Sequence, residues 1–299
     1  MSDVAFSVPV DGGELRVGIL GAQDPGAPTV VAVHGITASH RSWLRVSADL
    51  AGVRIIAPDL RGRGRSNSLP GPFGLRQHAA DLERVLDHIG LASTVAVGHS
   101  MGAFVVALLG YRAPERVAAL VLVDGGVPLA LPEGVDPDAV PLALLGPAAD
   151  RLRMTFESRD SYRDFWRGHP AFADGLSPEV LDYLDYDLDG EAPALRASGS
   201  ADAVTTDAQE LYGPGWYGEA LRSLRMPVTV LRSPRGLLAE PPGLYPPGRL
   251  EAARAELPQL EIQEVPDVNH YTILMAEPGA SAVAAAVRSA LTVELPSTP

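Results

Sequence analysis

Thr94-Val95-Ala96-Val97-Gly98-His99-Ser100-Met101-Gly102-Ala103-Phe104-Val105-Val106-Ala107-Leu108-Leu109-Gly110-Tyr111 is the stretch that decides the fold. Thr94–Val97 is a short, continuously apolar run, the pattern of a strand buried on both faces. Met101–Tyr111 reads as a helix. Gly98 and Gly102 stand two positions either side of Ser100. A strand that reverses straight into a helix holds one residue in a strained conformation at the tip, and small residues on either side avoid a clash there. Ser100 at that tip is the candidate nucleophile. The helix N-terminus beyond it offers unpaired N–H groups to a developing anion, which makes the Met101 amide a candidate donor.

Working outward, strands and helices alternate. Val4–Pro9 and Glu14–Leu20 read as a hairpin around Asp11-Gly12-Gly13. Thr29–Val33 is a strand, Arg41–Ala51 a helix and Val53–Ala57 a strand. Leu75–Ile89 is a helix stopped by Gly90, and Ala118–Val123 is a strand. From 127 to 225 this rhythm lapses into a Pro-, Asp-, Leu- and aromatic-rich segment. It then resumes with Pro227–Leu231, Arg249–Leu257, Leu260–Val265 and Ala280–Leu291. The expectation is an α/β chain with a doubly wound, mostly parallel sheet of about eight strands. The core comprises residues 1–126 and 226–299, and residues 127–225 form a helical cap inserted after the sixth strand.

A serine nucleophile needs a base, and His270 follows the strand Leu260–Val265; no other histidine lies beyond 169. The base needs a carboxylate to hold its tautomer. Asp124, at the end of Ala118–Val123, is the first choice. After Pro227–Leu231 the expected acid position falls near Gly236, and Glu240, a little further on, is the alternative. His34-Gly35-Ile36-Thr37 follows an earlier strand, so the Ile36 amide is the second candidate oxyanion donor. His34 itself reads as a packed structural histidine.

Composition narrows the chemistry. The 299 residues contain no cysteine, so thiol nucleophiles and cysteine-held zinc are out; all 24 basic residues are arginine, so Schiff-base chemistry is out as well. The seven histidines show no metal-ligand spacing. A net charge of −13 without a basic patch argues against a nucleic-acid partner. No apolar run has membrane-spanning length. With no leader-like N-terminus, the expected location is cytoplasmic. Nothing in the pattern specifies an oligomeric state.

Gly98–Gly102, His34-Gly35, Pro58-Asp59-Leu60-Arg61-Gly62-Arg63-Gly64-Arg65-Ser66 and the late His270 together resemble the α/β-hydrolase superfamily, over nearly the whole chain outside the cap. The strongest likeness is to esterases, lactonases and carbon–carbon bond hydrolases with a G-H-S-M-G turn. The resemblance implies a structural Asp59 and a Ser-His-acid triad that works without metal or organic cofactor. It also implies that an acid after the earlier strand, as in haloalkane dehalogenases, is matched by Asp124. Dehalogenases and epoxide hydrolases of this fold carry aspartate where this chain has Ser100. The expected substrate is a small, apolar ester or lactone, with cleavage of a vinylogous diketone, a biosynthetic tailoring reaction, a perhydrolase side activity and a non-catalytic binder as rivals. Trp166 and Tyr271 are the candidate pocket walls.

Overall fold

The computed structural model describes residues 4–130 and 150–292. Its strands are β1 (Ala5–Val10), β2 (Gly13–Gly21), β3 (Thr29–Val33), β4 (Arg54–Pro58), β5 (Thr94–His99), β6 (Val117–Val123), β7 (Leu188–Asp189), β8 (Arg196–Ala197), β9 (Val228–Arg232) and β10 (Leu260–Glu264). The helices are α1 (Leu44–Asp49), α2 (Leu75–His88), α3 (Met101–Arg112), α4 (Arg159–Arg167), α5 (Pro178–Tyr186), α6 (Ala201–Glu210), α7 (Gly215–Arg222), α8 (Arg249–Glu256), α9 (Thr272–Met275) and α10 (Gly279–Leu291).

Eight strands form one sheet in the order β1-β2-β4-β3-β5-β6-β9-β10. Only the β1–β2 and β2–β4 pairs are antiparallel; every pair from β4 to β10 is parallel. This is the doubly wound, mostly parallel sheet read from the alternation of elements. The period-two alternation of side chains divides the core into two layers. Val31, Val33, Ala96, Leu120 and Leu122 join the layer under α2 and α3. Val30, Ala32, Val95, Val97, Val121 and Val123 join the layer under α1 and α10. Every residue of β5 is buried, which is why its sequence reads as a continuous apolar run. The edge strand β10 exposes Glu261, Gln263 and Glu264 to solvent, and the two glutamate charges guard the open edge against pairing with another chain.

Most boundaries fall within two residues of the sequence expectation. The expected single helix Arg41–Ala51 is instead a 3-10 turn, His40–Trp43, followed by α1. The cause is Asp59, whose Oδ1 accepts both the His40 backbone N–H (2.8 Å) and His40 Nδ1–H (2.9 Å) and so fixes that first turn. Between β6 and β9 the regular elements of the described residues are mostly helices, with one addition: β7 and β8 pair as a two-residue antiparallel ribbon, too short to leave a periodic signal. The expected cap also includes residues 131–149, which lie outside the described residues. Helix α7 packs on α3, with the Tyr217 and Phe104 rings 5.2 Å apart. Among the described residues no helix is long and apolar enough to cross a membrane.

α3 is drawn tightly onto the sheet. A Cβ at Gly102 would lie 2.1 Å from the Val33 carbonyl oxygen, and one at Gly98 would lie 2.3 Å from the Gly102 carbonyl oxygen. Gly102→Ala therefore forces backbone apart rather than a flexible side chain. It is expected to destabilise the chain by about 2–3 kcal/mol or more, read as a lowered urea midpoint at unchanged slope; a midpoint equal to the parent's would contradict the packing.

Candidate active site

The parallel strands β3, β5, β6 and β9 end on one edge of the sheet, the usual location of sites in open α/β sheets. Ser100 sits between β5 and α3 with φ 54° and ψ −123°, in the left-handed half of backbone space. Its N–H donates to the Val123 carbonyl at 2.9 Å, and its own carbonyl accepts from Ala103 N–H at 3.0 Å. These bonds and the Gly98–Gly102 contact hold a conformation that a free chain would abandon. Met101 is the first residue of α3, so its amide has no partner within the helix.

On the adjacent strand Asp124 repeats the device. It has φ 43° directly after β6, and its N–H donates to the Leu231 carbonyl at 2.7 Å. Its carboxylate is fully buried and lies 2.7 Å, through Oδ2, from His270 Nδ1. The geometry puts the Nδ1 proton on the carboxylate side and leaves Nε2 as the imidazole lone pair. Ser233, just past β9, braces the same carboxylate: its N–H donates to Oδ1 at 3.1 Å and its Oγ lies 2.8 Å from Oδ2. Nothing local in the sequence singles out Ser233, because its partner is 109 residues away. Glu240 is exposed. It is joined to the Gly236 turn through its backbone carbonyl, which accepts Gly236 N–H at 2.8 Å, and the carboxylate on the His270 ring is that of Asp124.

His270 is held from both sides. Asn269 Oδ1 accepts the N–H groups of Tyr271 (2.9 Å) and Thr272 (3.0 Å) at the start of α9, and its Nδ2 donates to the Ala171 carbonyl at 2.9 Å. His99 Nε2–H donates to the His270 carbonyl at 2.8 Å, with the two rings 4.7 Å apart. Burial, helped by the neighbouring His270, lowers the His99 pKa to about 3.

The loop after β3 faces Ser100. His34 does not point at the chemistry: Nδ1–H donates to the Gly35 carbonyl at 2.7 Å, and Nε2 accepts Leu60 N–H at 2.9 Å. Burial lowers its pKa to about 4 against the opposing pull of Asp59. Asp59 is buried beneath this loop. Burial alone would raise its pKa, but His40 outweighs burial and holds the carboxyl far below its ordinary range. Its Oδ2 accepts from Arg65 N–H (2.9 Å) and from the Tyr186 hydroxyl (2.6 Å).

Gly35, Ile36, Ser100 and His270 line one cavity of about 210 Å³, whose walls include Tyr183, Leu211, Tyr212, Leu244, Tyr271 and Met275. Tyr271, one of the two candidate pocket residues, is among these wall residues. Its hydroxyl pKa is pushed up to about 12, chiefly by burial, so it is a neutral wall. Trp166 needs correction. It is buried one layer behind, edge-on to Tyr271 at 5.8 Å and to Phe172 at 5.6 Å, and is not among the described residues lining the cavity. It faces inward because Tyr162 and Trp166, one turn apart on α4, form that helix's buried stripe.

A family model described as the alpha/beta hydrolase fold matches residues 28–161, the stretch that carries Ser100 and Asp124. The chain has the α/β-hydrolase fold. Likeness to individual members is partial. Lipase LipV of Mycobacterium tuberculosis is 39% identical over 104 residues, covering 35% of this chain and 40% of the lipase. Epoxide hydrolase B of the same organism is 29% identical over 191 residues, covering 60% of this chain and 52% of that protein. The chain therefore spans about half or less of the length of these curated relatives. A thioesterase domain from the curacin biosynthetic pathway superposes with a TM-score of 0.74 at 21% identity, over 96% of this chain and 100% of that domain, a likeness of fold.

Two expectations follow for this site. Ser233→Ala removes a hydroxyl from the buried Asp124 carboxylate and should lower kcat several-fold with little change in KM; equal kcat would show that the Oγ contact has no role. Second, burial keeps His34 and His99 neutral when folded, whereas the unfolded chain protonates both near pH 6.5. The unfolded state then binds more protons below that pH, so their contribution is complete above pH 6.5 and is lost as pH falls toward about 4 and about 3. The thermal midpoint should drop between pH 7 and pH 5, and ring ¹⁵N shifts should show both imidazoles neutral at pH 5. Protonated shifts there would refute the assignment.

Proposed function

We propose that the chain is a serine hydrolase that cleaves a carboxylic ester or lactone through an acyl-enzyme on Ser100. The observation that carries this reading is the buried bond from His270 to Asp124 beside a cavity that Ser100 also lines. In the proposed cycle His270 Nε2 takes the Ser100 hydroxyl proton as Oγ attacks the substrate carbonyl. The Ile36 and Met101 amides hold the resulting oxyanion. Asp124 stabilises the imidazolium without taking its proton. His270 then protonates the departing alkoxide, water enters, and the same sequence releases the acid.

The apolar wall residues support an apolar acyl or alkyl group. Residues 127–225 serve as the cap in this reading and set which group fits. Epoxide hydrolase B shares sequence with this chain. In the epoxide hydrolases that it resembles an aspartate stands at the nucleophile position, so Ser100 supports acyl transfer over epoxide opening. Carbon–carbon bond hydrolysis, in which the leaving group is protonated at carbon, and a tailoring reaction in biosynthesis are the alternatives that would use the same three groups.

A fluorophosphonate probe should label Ser100, located by peptide mass spectrometry, and Ser100→Ala should abolish both label and turnover of short p-nitrophenyl esters. Asp124→Asn should lower kcat by about a hundredfold or more, while Glu240→Gln stays near the parent. No label and no turnover across esters, lactones and vinylogous diketones would defeat the reading. Turnover of the diketone alone would move it to carbon–carbon bond cleavage.

A further inference from the structure

Three consecutive peptide planes of the loop after β3 are each held by a buried side chain. The Gly35 carbonyl, which shares a plane with the Ile36 N–H, accepts His34 Nδ1–H at 2.7 Å. The Ile36 carbonyl accepts Arg63 Nε–H at 2.8 Å, and the Thr37 carbonyl accepts Arg151 Nη2–H at 2.6 Å. Both arginines are completely buried. In a trans peptide the carbonyl and the N–H point in opposite directions. A fixed carbonyl therefore fixes the aim of the N–H beside it.

Neither arginine belongs to the loop, and both are anchored in the segment beyond β6. Arg63, between β4 and α2, has Nη1 2.5 Å from Asp207 on α6. Arg151 has Nη1 3.2 Å from Asp187, which caps the end of α5, and its guanidinium lies 5.4 Å over the Trp166 ring. The aspartates are well held in turn. Asp207 accepts from Gly74 N–H (2.6 Å) and His78 Nε2 (2.9 Å), and Asp187 accepts from the Tyr162 hydroxyl and from Ser198 Oγ (3.0 Å). A buried ion pair adds little net stability on average, but removing one partner is strongly destabilising, so the two groups stay together. The planar guanidinium suits this arrangement, since one group meets a carboxylate and a carbonyl at once.

We infer that Arg63 and Arg151 are positioning residues of the proposed oxyanion loop, each tying one of its carbonyls to an aspartate of the α5–α6 region so that the arrangement of that region sets the aim of the loop amides. This rests on the acyl-transfer reading for its kinetic consequence. Its structural content stands apart: the loop is rigid because two distant aspartates hold it through two arginines. The segment that shapes the cavity then acts on the chemical step as well as on binding.

The test uses the full chain with Arg63→Met and Arg151→Met separately, beside Arg63→Lys and Arg151→Lys, which keep the charge and lose the fork. Amide hydrogen exchange of the peptide covering residues 34–39 is read together with kcat and KM for p-nitrophenyl butyrate. Each Met variant should exchange the loop amides at least about tenfold faster. Each should lower kcat by about tenfold to a hundredfold with KM changed less than about twofold, as expected when donors are misaimed and ground-state binding is not. Where a Met variant fails to fold, the Lys variant at that position is read in its place. Unchanged loop exchange overturns the assignment, as does unchanged kcat, or a loss confined to KM, in a chain whose parent turns over the ester. If the parent neither turns over esters nor takes the label on Ser100, the acyl-transfer reading has failed. Loop exchange alone then decides: faster exchange supports the two arginines as loop anchors, and unchanged exchange refutes them.

Discussion

The backbone reversal at Ser100 is the constraint on which the site depends. A serine at φ 54° is unfavourable in isolation, by about 1–3 kcal/mol. It persists because its neighbours leave no alternative. Gly98 and Gly102 touch backbone to backbone, and Gly125 lies so near that a Cβ there would be 2.1 Å from the Ser100 carbonyl oxygen. Asp124, one strand over, is also left-handed at φ 43°. Aspartate tolerates that region better than serine does. The two reversals stand side by side because β5 and β6 are paired in register up to His99 and Val123. Sheet register thus brings the nucleophile candidate and the acid candidate to the same edge.

A second constraint is electrostatic. The chain has no lysine, so its permanently charged basic side chains are all guanidinium groups. Arg61 meets Asp81 through two bonds of 3.0 Å each, and Arg63 and Arg151 pair with Asp207 and Asp187. Burial by itself would raise the Asp207 pKa, but Arg63 and His78 outweigh it and lower the value to about 2. Such pairs suit a site that depends on alignment, because separating one partner from a buried pair leaves an uncompensated charge.

The sequence disclosed what is local. The turn at Ser100 shows in five consecutive residues, and the central strands show as apolar runs because both faces are covered. Asp124 was visible because it ends a strand. What lay outside reach was pairing between distant residues: Ser233 with Asp124 across 109 positions, Arg63 with Ile36 across 27, and Arg151 with Thr37 across 114. A serine in a loop and an arginine in an arginine-rich chain carry no mark of such partners. Trp166 illustrates the complementary difficulty. An aromatic residue on a short amphipathic helix reads the same whether its ring faces a cavity or the interior. Only the packing of Tyr162, Phe172 and Tyr271 around it decides the direction.

The neutral histidines complete the electrostatic picture. In the proposed acyl transfer His270 becomes an imidazolium for the lifetime of the tetrahedral intermediate. The His99 ring lies 4.7 Å from it. A charge on that ring would oppose protonation of the base at short range in a poorly screened interior. Burial prevents this by holding His99 to about 3, and burial likewise holds His34 to about 4. Of the three histidines around Ser100, only His270 has a carboxylate directly on its ring. The positive charge therefore has one favourable place to form, and that place is the ring whose Nδ1 proton Asp124 already holds.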